Sequence, residues 1–264
     1  MYLYETHLHT AQGSACGKSE GHEYIKRYLD LGFTGIFVTD HFFQGNCAVD
    51  RSLPWRERVN LFCKGYEDAK NEGDKLGLDV FFGWEQRYAM DEYLIYGPQK
   101  DWLLEHPEIE TATREEQLNL IHDAGGCVVQ AHPFRERGYI EMIHLAPYLV
   151  DGIEGCNSGN TPEQDMLDCR YGKCLNLPMT AGSDNHRVDS KEDSQLFGVL
   201  LENKLTSAKD FARLILNHAP IGMHTNEGRG VWDEETALAS VTTPITVQGH
   251  HDEATSLDYH LFLK

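Results

Sequence analysis

The 264-residue chain predicts an α/β fold, a closed or nearly closed barrel of mostly parallel strands. Three observations carry that expectation. Short apolar runs alternate with stretches of helical periodicity. About seven such strand–helix units follow one another without a linker. No internal repeat or low-complexity tract interrupts them. Alternation of this kind implies βαβ units with right-handed crossovers. The length suits one barrel, since such barrels run to about 250 residues as a single unit.

Residues 2–9 read as the first strand. Ser19 is the expected N-cap of the first helix, with Glu20 and Glu23 in its opening turn, Tyr24, Ile25, Tyr28 and Leu29 on one face, and Gly32 as its stop. Residues 35–39 read as a second strand, of the buried type. Pro54 then opens one long helix presenting Val59, Phe62, Cys63, Tyr66 and Ala69. Residues 79–84 and 93–96 are two more strands. Thr113 and Glu116 make a capping box for a helix ending near Gly125. Strands follow at 127–131, 152–154 and 178–181, with a weaker helix from Pro162 to Asn176 before the last of these. A short strand at 197–201 and an amphipathic helix at 206–217 complete the pattern. Residues 1–264 read as one domain whose end, about 226–264, is an irregular tail. Its adjacent His250 and His251 read as exposed.

Composition narrows the function classes. Asp and Glu total 42 against 23 Lys and Arg, a formal charge of −19. Duplex nucleic acid and anionic membranes are bound through clustered Lys and Arg, and this chain has no such run. A small substrate is the expected partner. Seven scattered Cys without a CxxC pair indicate neither a zinc ribbon nor a redox motif, and suit a reducing cytoplasm. No apolar stretch approaches the roughly 20 residues that span a bilayer.

The chemistry lies at the strand ends. The first strand ends in His7-Leu8-His9, and residues i and i+2 of a strand share a face, so both imidazoles can reach one ion. Later strands end in Asp40-His41, Glu85, Ala131-His132-Pro133 and Ser183-Asp184-Asn185-His186. In parallel α/β folds that carboxyl end is where sites are built. A single strand-end His is usually a hydrogen-bonded loop residue. Five strands each delivering a His or carboxylate at the same topological position point instead to a metal site. Imidazole with carboxylate suits Zn, Mn or Fe. His7, His9, His41, Glu85, His132, Asp184 and His186 exceed what one open ion needs, which implies two or three divalent ions bridged by Glu85 or Asp184. Asp40 is expected to fix an imidazole tautomer from behind.

With these motifs, His7-Leu8-His9-Thr10, Thr39-Asp40-His41, Gly83-Trp84-Glu85, Ala131-His132-Pro133 and Gly182-Ser183-Asp184-Asn185-His186, the chain resembles the polymerase and histidinol phosphatase (PHP) family. The resemblance spans about 180 residues, in the family's order. It implies a distorted (β/α)7 barrel and a metal centre hydrolysing phosphoesters, with the seven residues above as ligands. Two family positions depart. Where the family places an acidic residue or His after His-x-His, this chain reads Gln12-Gly13-Ser14-Ala15-Cys16, and Cys16 is the candidate substitute ligand. A family His between Glu85 and His132 has no counterpart, since His106 and His122 stand in helical or loop contexts.

The implied activity is a metal-dependent phosphoesterase attacking a small phosphomonoester or nucleotide-type phosphodiester with a metal-bridged hydroxide. Asp184 and His186 at the metals, with Arg135 and Arg187 as forks for the phosphate, are the candidate catalytic residues. Glu154 and Asn157, at another strand end, are expected to line the pocket or support a ligand. A histidinol-phosphate phosphatase, an amidohydrolase (though no Lys ends a strand to serve as a bridging carbamate) and a non-catalytic metal-binding module are the alternatives.

Overall fold

The computed structural model describes residues 1–229, 240–248 and 254–255. The first half runs β1 (Tyr2–Glu5), α1 (Gly21–Asp30), β2 (Gly35–Val38), α2 (Trp55–Phe62), α3 (Lys64–Leu76), β3 (Asp79–Tyr88), β4 (Asp91–Tyr96), α4 (Lys100–Glu105) and α5 (Arg114–Asp123). The second half runs β5 (Cys127–Gln130), β6 (Ile143–Leu145), β7 (Gly152–Asn157), α6 (Pro162–Leu175), β8 (Met179–Gly182), β9 (Gly198–Leu201), α7 (Ala208–Leu216) and β10 (Gly222–His224). Of the expected tail, β11 (Ile245–Gln248) and β12 (Ala254–Thr255) are described, and β11 lies parallel to β6 in a small separate sheet. His250 and His251 fall outside the described residues.

The main sheet has the strand order β10-β9-β1-β2-β3-β4-β5-β7-β8. Beyond the ends of β1 and β8, Leu8 bridges Asn185 in parallel, and β9 contacts both β1 and β8, so the sheet curls into a nearly closed barrel. Pairs β1–β2, β2–β3, β5–β7 and β7–β8 are parallel, but β4 runs antiparallel to both neighbours. The distortion of the barrel is centred there. Only Ala89 and Met90 separate β3 from β4, too few for the crossover a parallel pair requires.

Strand alternation explains what faces inward. On β2, Ile36 and Val38 pack outward against α1 residues Tyr24, Ile25 and Tyr28, whereas Phe37 points into the barrel. There it meets Tyr4, Tyr96 and Phe211 of α7, which plug the amino-terminal end. Each fully buried aromatic of this kind contributes about 1.5–3 kcal/mol. The plug leaves the opposite end open for polar groups.

Two local expectations shift. The long helix from Pro54 divides at Cys63 (ψ −4°) into α2 and α3. The break lets α3 approach α1 so closely that a Cβ at Gly21 would stand 2.1 Å from the Gly65 carbonyl. The N-cap of α1 is Glu20, in a capping box with Glu23, rather than Ser19, whose hydroxyl accepts from the Val188 N–H (3.2 Å). No helix among the described residues is long and apolar enough to cross a membrane.

Candidate metal centre

The open end of the barrel gathers the strand-end residues. Past β1, Leu8 packs outward in the core, so His7 and His9 point inward, with Nε2 atoms 3.1 Å apart. On β3 the residues Phe82 and Trp84 pack outward, which turns Glu85 in. The two ends of Glu85 are shared out. Its Oε1 stands 3.3 Å from both His7 Nε2 and His132 Nε2, and its Oε2 stands 3.5 Å from His9 Nε2 and 2.7 Å from His41 Nδ1. The last two atoms are close but not aligned as donor and acceptor, and both are buried without a hydrogen-bond partner among the described residues. Two ligand atoms aimed at a common third point have this geometry. Asp184 is divided likewise: Oδ1 faces His9 Nε2 (3.2 Å) and His7 Nε2 (3.6 Å), while Oδ2 accepts from Arg135 Nη1 (2.6 Å).

Two of these residues require unusual backbone. On β5 and just beyond it, Cys127, Val129 and Ala131 belong to the barrel interior, so continued alternation would turn His132 outward. A φ of +30° at His132 reverses it. Asp184 has φ +51°. A non-glycine residue in this region costs of order 1–3 kcal/mol and persists where surrounding contacts dictate it. Glu154 supplies one such contact, accepting from the His132 N–H (3.1 Å) through Oε2.

Behind these candidate ligands, buried groups orient the imidazoles. His7 Nδ1–H donates to Glu154 Oε1 (2.9 Å), which turns Nε2 inward. Asn157 Nδ2 donates to the other Glu154 oxygen (3.0 Å). For His9 the link runs through Ser14. The Ser14 hydroxyl donates to Asp40 Oδ1 (2.7 Å) and accepts from the His41 N–H (2.9 Å). Its one proton is thus committed, so at 3.1 Å it accepts from His9 Nδ1–H, and His9 Nε2 is free. Asp40 also accepts from the Thr10 N–H and hydroxyl, and burial still pushes its carboxyl up to about 6. Gly182 makes room for this layer, as a Cβ there would lie 2.5 Å from the His7 Cβ and 2.9 Å from Glu154 Oε1.

The charges are mutually dependent. Burial disfavours both imidazolium forms, but Glu154, Asp184 and Glu85 outweigh it at His7, and Glu85, Cys16 and Glu92 at His41, raising both pKa values well above the ordinary range. Burial, with the neighbouring His186 and His41, holds His9 well below. Burial would raise Glu85 and Asp184, yet the surrounding imidazoles at Glu85, and the imidazoles with Arg135 at Asp184, hold both well below the carboxylate range. Cys16 is half-buried beside His186 and His41, whose hydrogen bonds overcome the effect of burial and bring its thiol down to about 6. Groups of three ligand atoms converge as His7, Glu85 and His132, as His7, His9 and Asp184, and as His9, His41 and His186.

A fourth group contains a residue the sequence reading missed: His41, Glu85 and Glu92. Glu92 is on β4, its Oε2 3.7 Å from His132 Nε2. Arg187, by contrast, is exposed and paired with Asp189 (2.6 Å), away from the cluster, because His186 turns inward at the preceding position. The cluster floors a cavity of about 670 Å³ whose wall includes Arg135 and Cys16.

No family model matches the sequence, and no curated protein does. Solved structures do. A two-domain protein from Bacteroides vulgatus containing a predicted PHP-like metal-dependent phosphoesterase superposes with a TM-score of 0.58 at 14% identity, covering 86% of this chain. The chain has a PHP-like fold. It spans 65% of that two-domain chain. An inferred metal-dependent phosphoesterase from Bifidobacterium adolescentis gives a TM-score of 0.51 at 16% identity, covering 82% of this chain and 96% of the other. A lesion-specific endonuclease from Pyrococcus furiosus, at a TM-score of 0.46, is too distant to bear on the substrate. At these identities the likeness concerns the PHP-like fold, and the chemistry rests on the residues of this chain.

Proposed function

We propose that this protein is a metal-dependent phosphoesterase acting on a small phosphorylated substrate, with two or three divalent ions (Mn, Zn or Fe) held by His7, His9, His41, Glu85, His132, Asp184 and His186. The observation that carries the reading is Glu85, a buried carboxylate with one oxygen between two imidazoles and the other between two more. That is the arrangement of a bridging ligand. Such ions supply Lewis acidity, withdrawing charge from phosphoryl oxygens and making water a nucleophile at neutral pH.

The chain's own residues account for the rest. Glu154 and the Asp40–Ser14 pair orient His7 and His9 with Nε2 inward. Glu92 and Cys16 extend the ligand set on the side of His132 and of His41 and His186 respectively. Arg135 is buried, anchored through Nε to Asn160 Oδ1 (2.8 Å) and through Nη1 to Asp184. Arg135 lines the cavity beside Asp184, where its guanidinium adds positive charge for a phosphoryl group. The amidohydrolase alternative calls for a lysine at the centre, and none lines this cavity among the described residues.

The test is phosphate release from a panel of phosphomonoesters and nucleotides by protein reconstituted with Mn²⁺, Zn²⁺ or Fe²⁺, with bound metal measured in parallel. Metal-dependent release that falls on the order of 100-fold or more in Asp184→Ala is expected. Stoichiometric metal with no release from any member would overturn the assignment.

A further inference from the structure

The chain carries 42 acidic and 23 basic residues, so a basic side chain has carboxylates to spare. Most arginines use them: Arg27 pairs with Asp193, Arg58 with Glu110, Arg213 with Asp210 and Arg229 with Asp165. The cavity wall is different. Besides Arg135, it contains Arg51, Arg87 and Arg137, and none of these three has a carboxylate partner among the described residues. Each is anchored mainly by backbone carbonyls. Arg51 Nη2 donates to Gly45 O (2.9 Å), Arg87 Nε to Ala89 O (2.9 Å), and Arg137 to Glu136 O (2.8 Å) and Gly159 O (2.6 Å). Such anchoring fixes a guanidinium without neutralising it, at no cost in later ordering.

Their placement gives the spacing. Arg87 follows Glu85 by two residues on β3, so both face the cavity, and the strand rise puts Arg87 roughly 7 Å further out. Arg137 likewise follows Arg135 by two residues, and Arg51 comes from the segment between β2 and α2. A phosphoryl group on the metal floor is already matched by the ions and Arg135. Three more unneutralised guanidiniums surround the space above it.

We propose that this outer arginine set is a second anion site, and that the preferred substrates are phosphoesters carrying a further phosphate or carboxylate roughly 7 Å from the reacting phosphorus. The proposal rests on the phosphoesterase reading and specifies its substrate class.

Metal-loaded protein is assayed with propyl phosphate, propanediol bisphosphate and the corresponding ω-carboxylated alkyl phosphate. The wild type is expected to favour the two charged substrates over propyl phosphate by at least on the order of 100-fold in kcat/KM, roughly 10-fold for each of the two or three arginines engaged. The larger of the two ratios identifies the second anion. Arg51→Ala/Arg87→Ala, with folding checked by its melting temperature, should bring both ratios towards unity, and Arg51→Lys/Arg87→Lys should restore part of the preference. A wild-type ratio within about 3-fold of unity overturns the proposal. So does an equal fall on all three substrates in the alanine variant. Calorimetry with propylphosphonate and propane bisphosphonate, which cannot be hydrolysed, separates the two readings. Bisphosphonate preference without any turnover keeps the anion site and refutes the esterase. Turnover without preference does the reverse.

Discussion

Replacing Ser14 with alanine would remove the single atom that joins His9, His41 and Asp40. The Ser14 hydroxyl is fully buried and makes three hydrogen bonds, at 2.7, 2.9 and 3.1 Å. Alanine leaves two buried N–H donors, on His9 and on the His41 backbone, without an acceptor. Asp40 keeps its two bonds from Thr10 and is less affected. Each orphaned buried donor costs about 1–3 kcal/mol, so the metal-free protein should lose on the order of 3 kcal/mol. For a chain of this size that lowers the melting temperature by about 10 °C. A second effect is separable from the first. Without its acceptor, His9 Nδ1 no longer favours the protonated tautomer, and the ligand atom Nε2 is free only part of the time. Loss of such a support typically weakens metal binding 10- to 100-fold. Urea melts of the metal-free protein and calorimetric Mn²⁺ titrations of wild type, Ser14→Ala and Ser14→Thr measure the two effects. Ser14→Thr keeps the hydroxyl and should retain most of the affinity. If Ser14→Ala loses stability yet binds Mn²⁺ with wild-type affinity, the hydroxyl supports only the fold and the tautomer argument fails.

Three further outcomes are expected. Glu92→Ala should lower bound metal by about one equivalent per chain while stabilising the metal-free protein, because Glu92 is largely buried and its charge faces that of Glu85. Unchanged stoichiometry by elemental analysis would remove Glu92 from the ligand set. Iodoacetamide at pH 7 should label Cys16 in metal-free protein before Cys47 or Cys63, whose thiols burial pushes up to about 11 and about 12, and metal should slow that labelling at least roughly 10-fold. Equal rates with and without metal would leave Cys16 outside the centre. Burial raises the Asp165 carboxyl from 3.8 to about 6, despite the Asn157 N–H and Arg229. With the folded-state pKa above the unfolded one, its contribution is full below about pH 3.8 and is lost as pH rises through 6. The change is about 3 kcal/mol at 1.36 kcal/mol per unit. Asp165→Asn should therefore flatten stability between pH 4 and 7, and an unaltered slope in urea melts would contradict the assignment.

The place where the chemistry collects is written in short stretches of sequence. His7-Leu8-His9, His41, Glu85, Asp184 and His186 are legible because strand periodicity and strand-end position are local properties, read from a few residues at a time. The barrel was legible for the same reason, as an alternation of short apolar runs and helices. The features that escape a local reading depend on chain direction and backbone sign. Glu92 is not legible locally because it stands at the start of its strand, whereas parallel strands build sites at their carboxyl ends. Since β4 runs backwards, its first residues lie at the open end of the barrel, and the two-residue connection at Ala89-Met90 was the one signal for that reversal. His132 reaches the centre only through a left-handed φ that alternation does not foresee. Ser14, in sequence one hydroxyl in a polar loop, became a link between two histidines and a carboxylate separated from it by up to 27 residues. The unneutralised Arg51, Arg87 and Arg137 are of the same kind. A missing partner is a property of the folded surroundings, and no local pattern records it.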